Sequence, residues 1–185
     1  MSKISLPPSG LSEDILVGLK DENDEMQIVT FTLNELYGVP ISQVYEIIRV
    51  GSITKVPNSP SYMEGVINLR GKVLPVLNLR KRLKLPPVEI SKTSRIIVTE
   101  AHNKIIGLLV DSVSHVLRVL PELIETAPEE VLEIDTDYIT GVAKLKNQLV
   151  ILLDLEKLLK REKIEIKEVG IDLQQGGSDG KKINC

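Results

Sequence analysis

Residues 62–83 read YMEGVINLRGKVLPVLNLRKRL, and residues 138–159 read YITGVAKLKNQLVILLDLEKLL. The two segments align without a gap. Tyr62 faces Tyr138, Gly65 faces Gly141 and Val66 faces Val142, while Leu69, Leu77, Leu79, Lys81 and Leu83 face identical residues. Each segment reads as a strand, a tight turn, a second strand and a short helix. Gly71 stands at the first turn and Asn147 at the second. These two residue types tolerate positive φ at a hairpin tip better than any others. Asn78 and Asp154 stand at the next matched boundary. Either can cap the free N–H groups of a helix that starts one residue later. Leu79 and Leu83 fall on one face of that helix, and Pro86 and Pro87 stop it.

The repeat extends upstream, where GVPISQVYEIIRV (38–50) lies over GLLVDSVSHVLRV (107–119). QIVTFTL (27–33), YGVPI (37–41) and VYEIIRV (44–50) are rich in β-branched residues and read as strands, as do RIIVTEA (95–101), KIIGLLV (104–110) and SVSHVLRV (112–119). Pro40 marks an edge or a strand end. Residues 51–61 form a loop, and PELIETAPEE (121–130) reads as an acidic loop or broken helical turn. Each copy is therefore strand–strand–strand–hairpin–helix, with about five strands. Short strands with regularly spaced turns indicate an all-β fold of two small closed barrels. A half of this size is small for independent stability, so the barrels are expected to share an apolar core.

The chain has 42% hydrophobic residues, enough for such a core, but its only aromatics are Phe31, Tyr37, Tyr45, Tyr62 and Tyr138. Val, Ile and Leu must fill the interior. The net charge of −3 argues against a nucleic-acid binder, which needs a basic face and stacking aromatics. The one cysteine, Cys185, offers no disulfide framework and no zinc site within a single chain, which fits a reducing cytoplasm. MSKISLPPSG, at the start, lacks the apolar core of a signal peptide. No apolar run approaches the roughly 20 residues of a membrane helix. Residues 1–25 read as a mobile tail and residues 164–185 as a flexible, Gly-rich polar one.

Catalytic and ligand-binding patterns fail one by one. Gly65, Gly71 and Lys72 resemble a phosphate loop, but the spacing is one residue too long and Val73 stands where Ser or Thr belongs. Asp111, Ser112, Ser114 and His115 invite a triad, yet they share one strand, which turns Ser114 and His115 to opposite faces. His102 lies in a turn with no second His or Cys at metal-ligand spacing. The acidic stretch Glu122, Glu125, Glu129, Glu130 and Glu133 reads as a solvated face. No catalytic residue, metal site or cofactor signature is expected.

If the repeat is about folding, its differences are about function. The first copy has Asn68, Arg70, Gly71, Lys72 and Pro75 where the second has Lys144, Lys146, Asn147, Gln148 and Ile151. Arg70 is thus not needed to make the turn. Arginine carries five fixed donors and a flat apolar face and is enriched at interface hot spots. Display on a tight hairpin lowers the entropy cost of using it.

From about Met26 to Arg161 the chain resembles the CheW family of chemotaxis coupling proteins. The string EGVINLRGKVLPVLNLRKRL carries the resemblance, supported by YGVPISQVYEI, IGLLVDSVSHVLRV and YITGVAKLKNQLVILLDLEKLL. The resemblance implies two intertwined five-stranded, SH3-like barrels about a shared apolar core, within a domain of residues 26–163 whose interleaved copies span about 26–85 and 95–163. It implies a cytoplasmic, non-catalytic adaptor, recruited to receptor arrays at the inner face of the membrane and monomeric when free. Its partners would be the CheW-like regulatory domain of the histidine kinase CheA and the cytoplasmic tips of methyl-accepting chemotaxis receptors. On the receptor side the resemblance points to Arg70, Val113 and Val116, with the groove between the barrels taking the receptor's helical hairpin. On the kinase side it points to Val44, Glu46 and Gly65. A CheV-type coupler would need on the order of 100 further residues for a receiver domain. A CheA fragment would carry kinase segments before Met26, and an enzyme on a small barrel would need a convergent acid, base or metal.

Overall fold

The computed structural model describes residues 24–126 and 136–160. The expected tails fall outside these residues, apart from Asp24 and Glu25, as does the acidic stretch beyond Thr126 up to residue 135. Among the described residues there are eleven strands and two short α-helices: β1 (Met26–Thr32), β2 (Leu36–Pro40), β3 (Val44–Arg49), β4 (Met63–Leu69), β5 (Lys72–Asn78), α1 (Leu79–Arg82), β6 (Arg95–Ala101), β7 (Lys104–Val110), β8 (Ser112–Val119), β9 (Ile124–Glu125), β10 (Ile139–Leu145), β11 (Gln148–Leu153) and α2 (Leu155–Lys160). Pro40 does end β2. The strand that sequence reading missed is β9, which has two residues inside the acidic stretch and pairs with Val142 and Ala143. Its repeat-related counterpart is a single bridge between Thr54 and Val66.

The strands form two sheets, in the orders β8-β1-β2-β11-β10-β9 and β3-β6-β7-β5-β4. Neither sheet is one copy of the repeat. The third strand of each copy pairs antiparallel with the first strand of the other: β8 with β1, and β3 with β6. Each hairpin joins the other copy through a parallel pair, β5 with β7 and β11 with β2. The second sheet is therefore the contiguous stretch from β3 to β7, and the first gathers strands from both ends of the described chain.

Three apolar clusters follow from this exchange. One barrel interior holds Ile67, Leu74, Val76, Ile96, Val98 and Leu109. The other holds Ile28, Val119, Ala143, Val150 and Leu152. The third lies between the barrels and draws on both, with Phe31, Tyr37, Leu77, Leu79, Ile97, Leu108, Leu153, Leu155 and Leu158 fully buried. Alternation along each strand sends one face to a barrel interior and the other to this shared core. Burying a Leu or Ile side chain contributes about 1.5–3 kcal/mol. The barrels cannot separate without exposing this cluster, so they form one cooperative unit.

The helices close the shared core. Asn78 accepts from the Lys81 N–H at 3.2 Å and Asp154 from the Lys157 N–H at 3.1 Å, so both act as the expected N-caps. Leu79 and Leu83 are buried together. Arg82, which faces Leu158 in the repeat, is buried between the two matched tyrosines. Its guanidinium carbon lies 5.4 Å from the Tyr62 ring centre and 4.6 Å from that of Tyr138. It donates to the Tyr138 hydroxyl at 2.8 Å and to the Leu158 carbonyl at 3.1 Å. One cation thus ties both copies together at the shared core.

Candidate functional site

Arg70 and Gly71 form a two-residue tip between the paired residues Leu69 and Lys72, with φ of 53° and 83°. Positive φ at both central residues defines the type I′ hairpin that matches strand twist. The Gly71 N–H donates to Asn68 Oδ1 at 2.8 Å and fixes the tip. At the second tip, Leu145 pairs with Gln148 around Lys146 and Asn147, but neither central residue has positive φ. The positive φ expected at Asn147 does not occur, because asparagine tolerates that conformation without requiring it. Lys144, in the place of Asn68, is turned instead toward Glu125 at 2.9 Å. The first tip is the more tightly determined of the two.

Held this way, Arg70 meets Glu46 of β3. Nη1 lies 2.5 Å from Oε1 and Nη2 lies 2.8 Å from Oε2, a bidentate pair. Register explains the approach. A bulge at Tyr45 brings Glu46 opposite Val98, on the face that lines the barrel interior. At the end of the barrel the Glu46 side chain clears the core and reaches the hairpin tip. The Arg70 hydrogen bonds hold the Glu46 carboxyl below its usual range and push the guanidinium further up. The Arg70 side chain is 71% exposed and that of Glu46 29%. The pair therefore fixes a geometry rather than adding much stability.

Behind the pair opens a cavity of about 330 Å³, lined by Tyr45, Leu69, Val73, Leu74, Val98 and Ile105 among others. Leu74 and Val98 belong to the barrel interior, so the cavity is the mouth of that barrel. Tyr45, Val73 and Ile105 stand on its rim at 58%, 56% and 46% exposure. The Tyr45 hydroxyl donates to Glu100, which orients the ring and pushes the phenol up. An ordered ion pair ringed by exposed apolar side chains has the composition of a protein-binding surface.

The other sequence-derived positions lie apart from this mouth. Val44 and Val113, repeat-related, each pack half-buried against the shared core. Val116 is 48% exposed on β8, an edge strand of the opposite sheet, and pairs with Val29. Gly65 is buried with φ +149°, and an added Cβ would stand 2.3 Å from the Thr54 carbonyl oxygen and 2.7 Å from Ile53 Cγ2. Gly141 is similarly crowded by Ile124 Cγ2 at 2.7 Å and the Glu125 carbonyl at 2.8 Å. Both glycines let a crossing strand come close, so Gly65 has a structural duty whatever else it does.

Sequence reading singled out neither Tyr45, Val73 nor Ile105 as functional. Their signal was an apolar residue at the solvent end of a strand, which alternation alone does not separate from core. The triad candidates do not converge. Asp111 is taken by Arg80, whose Nε lies 2.9 Å from Oδ2, and Ser114 and His115 are exposed on β8. Among the described residues no group of three or more His, Cys, Asp or Glu is placed to hold a metal ion, and no helix is long and apolar enough to cross a membrane.

Swapped strands, a shared core and an interface-like barrel mouth define a β-barrel binding module. Comparison with known proteins gives the family. The family model described as the CheW-like domain matches residues 27–163, and the chain belongs to that family. It is 36% identical over 149 residues to the chemotaxis protein CheW of Klebsiella aerogenes, covering 80% of this chain and 90% of that one. It is 39% identical over 139 residues to the chemotaxis protein CheW of Bacillus subtilis, covering 75% and 88%. Among solved structures it is similar to the scaffolding protein TtCheW of Thermoanaerobacter tengcongensis, with a TM-score of 0.69, 41% identity, and coverage of 73% of this chain and 92% of that one.

Proposed function

We propose that this protein is a non-catalytic chemotaxis adaptor that couples methyl-accepting receptors to the histidine kinase CheA at the cytoplasmic face of the membrane. The observation that carries the reading is the Arg70–Glu46 pair, set in an apolar rim at a barrel mouth of a chain in the CheW-like family. Relatives named as chemotaxis and scaffolding proteins support it.

Arg70 contacts the receptor, and Glu46 orients it. Val113 and Val116, on β8, supply a second part of the receptor face. Val44 and Glu46, on β3, and the backbone around Gly65 serve the kinase face. Arg70 and Glu46 would then join the two faces through one ion pair, so that a partner on one side bears on the geometry of the other.

The test is a pull-down of the purified protein against the CheA regulatory domain and a receptor signalling tip, with Arg70→Ala alongside. The expected result is that wild type retains both and the variant loses mainly the receptor. Truncating a hot-spot arginine costs about 2 kcal/mol, roughly 30-fold in affinity. Retention of neither partner by the wild type would overturn the reading.

A further inference from the structure

Arg49 of β3 and Arg118 of β8 occupy the same position in the aligned copies, but they face different neighbours. Arg118 pairs with Gln27 of β1, and its Nη1 lies 4.0 Å from a carboxylate oxygen of Glu25. Arg49 pairs directly with Arg95 of β6. Cross-strand partners point to the same face of a sheet, and like charges directly opposite one another are destabilising. Among the described residues neither Arg49 nor Arg95 forms an ion pair. Asp111 follows Val110, the β7 residue opposite Arg95, but it is taken by Arg80.

A lone charge on an edge strand repels other sheet edges. That duty fits Arg49, because β3 is an edge, but not Arg95, because β6 lies between β3 and β7. The Arg95 guanidinium is also held in place, with Nη1 donating to the Lys92 carbonyl at 2.9 Å and the Ser94 carbonyl at 2.8 Å. The bulge at Tyr45 keeps Val44 and Ile47 on the same face of β3 as Arg49, opposite Thr99, Ile97 and Arg95. Ile97 is fully buried in the shared core, whereas Ile47 is 40% exposed. This face therefore presents an open apolar side chain beside two unneutralised guanidiniums. Its complement is a segment with an apolar side chain next to a carboxylate, which a guanidinium grips through two parallel hydrogen bonds.

We infer that this face of β3 and β6 docks an acidic segment of the kinase's regulatory domain, with a carboxylate set between Arg49 and Arg95 and an apolar side chain covering Ile47. This rests on the adaptor reading, which puts Val44 and Glu46 of the same strand on the kinase face and the receptor positions Val113 and Val116 on β8 of the other sheet. The incoming carboxylate neutralises the repulsion between the two arginines, so part of the binding free energy comes from relief of a conflict built into the free protein.

Calorimetric titration of wild type, Arg49→Gln and Arg49→Glu with the CheA regulatory domain tests it, with a receptor tip as the second titrant and urea unfolding alongside. Both substitutions relieve the repulsion, and Arg49→Glu sets an opposite charge before Arg95, so neither variant should unfold at lower urea than wild type. Arg49→Gln should nevertheless bind the kinase domain about tenfold more weakly, with a shallower salt dependence, and Arg49→Glu more weakly still. Both should bind the receptor tip as wild type does. Kinase affinity that both variants keep, or an equal loss toward both partners, would overturn the inference alone. So would variants that lose only co-sedimentation with anionic lipid vesicles, which would assign the arginines to a membrane surface. Absence of kinase binding by the wild type would overturn the adaptor reading and the inference with it.

Discussion

Gly65→Ala separates a folding role from a binding role at one atom. The added Cβ would meet the Thr54 carbonyl oxygen at 2.3 Å, and φ +149° is a conformation that L residues rarely adopt. Backbone strain of this kind costs about 1–3 kcal/mol, and overpacking a tight site costs about 1–3 kcal/mol more. The Thr54 carbonyl cannot simply withdraw, because it accepts from the Val66 N–H at 2.8 Å. The expected loss is therefore about 2–6 kcal/mol. For a chain of this length each kcal/mol moves Tm by roughly 2–4 °C, so Tm should fall by roughly 4–24 °C. Gly71→Ala is the control: it has φ +83° but nothing within 4 Å of the new Cβ, and it should cost only about 1–2 kcal/mol. Thermal and urea unfolding measure both. Kinase binding by Gly65→Ala, measured well below its Tm, should fall only in step with the loss of stability, because the substitution acts on the kinase face through the backbone it displaces. A normal Tm with binding abolished would refute the reasoning and make Gly65 a contact residue.

Four further outcomes are expected. Arg82→Ala removes a buried cation held by two tyrosine rings and by hydrogen bonds to Tyr138 and Leu158; it should lower stability by about 3 kcal/mol in urea unfolding. Glu64 is a buried acid-sensitive group. Burial would raise its carboxyl, but hydrogen bonds from Asn78 and Lys81 and the charges of Lys81 and Lys55 outweigh this and leave it below the ordinary value. A depressed folded pKa gives stability that is present above the unfolded carboxylate range and lost as pH falls through the folded value. Glu64→Gln should therefore flatten the acid side of the stability–pH curve, as followed by urea midpoints between pH 7 and 3. Asn78→Ala deletes the α1 cap and should cost about 1 kcal/mol or more, read from the same urea curves. In a double-mutant cycle, Arg70→Ala and Glu46→Ala should be clearly non-additive in receptor affinity, because the Glu46 contribution passes through Arg70.

Much of this fold was legible because the chain states it twice. Strand positions, hairpin tips and the caps at Asn78 and Asp154 came from the aligned copies. Which strand pairs with which did not. Alternation along β1 is satisfied by any neighbour with the right face, and only the three-dimensional arrangement shows that its edge partner is β8 of the other copy. β9 was illegible because two residues carry no period. Arg70 stood out as a residue the turn did not need, but its bond to Glu46 joins positions 24 residues apart, a pairing no local pattern records. Arg82 was hidden by its surroundings: in a short basic run it looks solvated, and only the two flanking tyrosines make it a core residue.

In the proposed function, separate faces of one small protein hold two partners at once. Light scattering after size exclusion, on an equimolar mixture of this protein, the CheA regulatory domain and a receptor signalling tip, tests it most directly. A single species with the summed mass of all three components is expected, and Arg70→Ala should reduce it to the kinase-domain pair. Displacement of one partner by the other, with only binary masses observed, would contradict it.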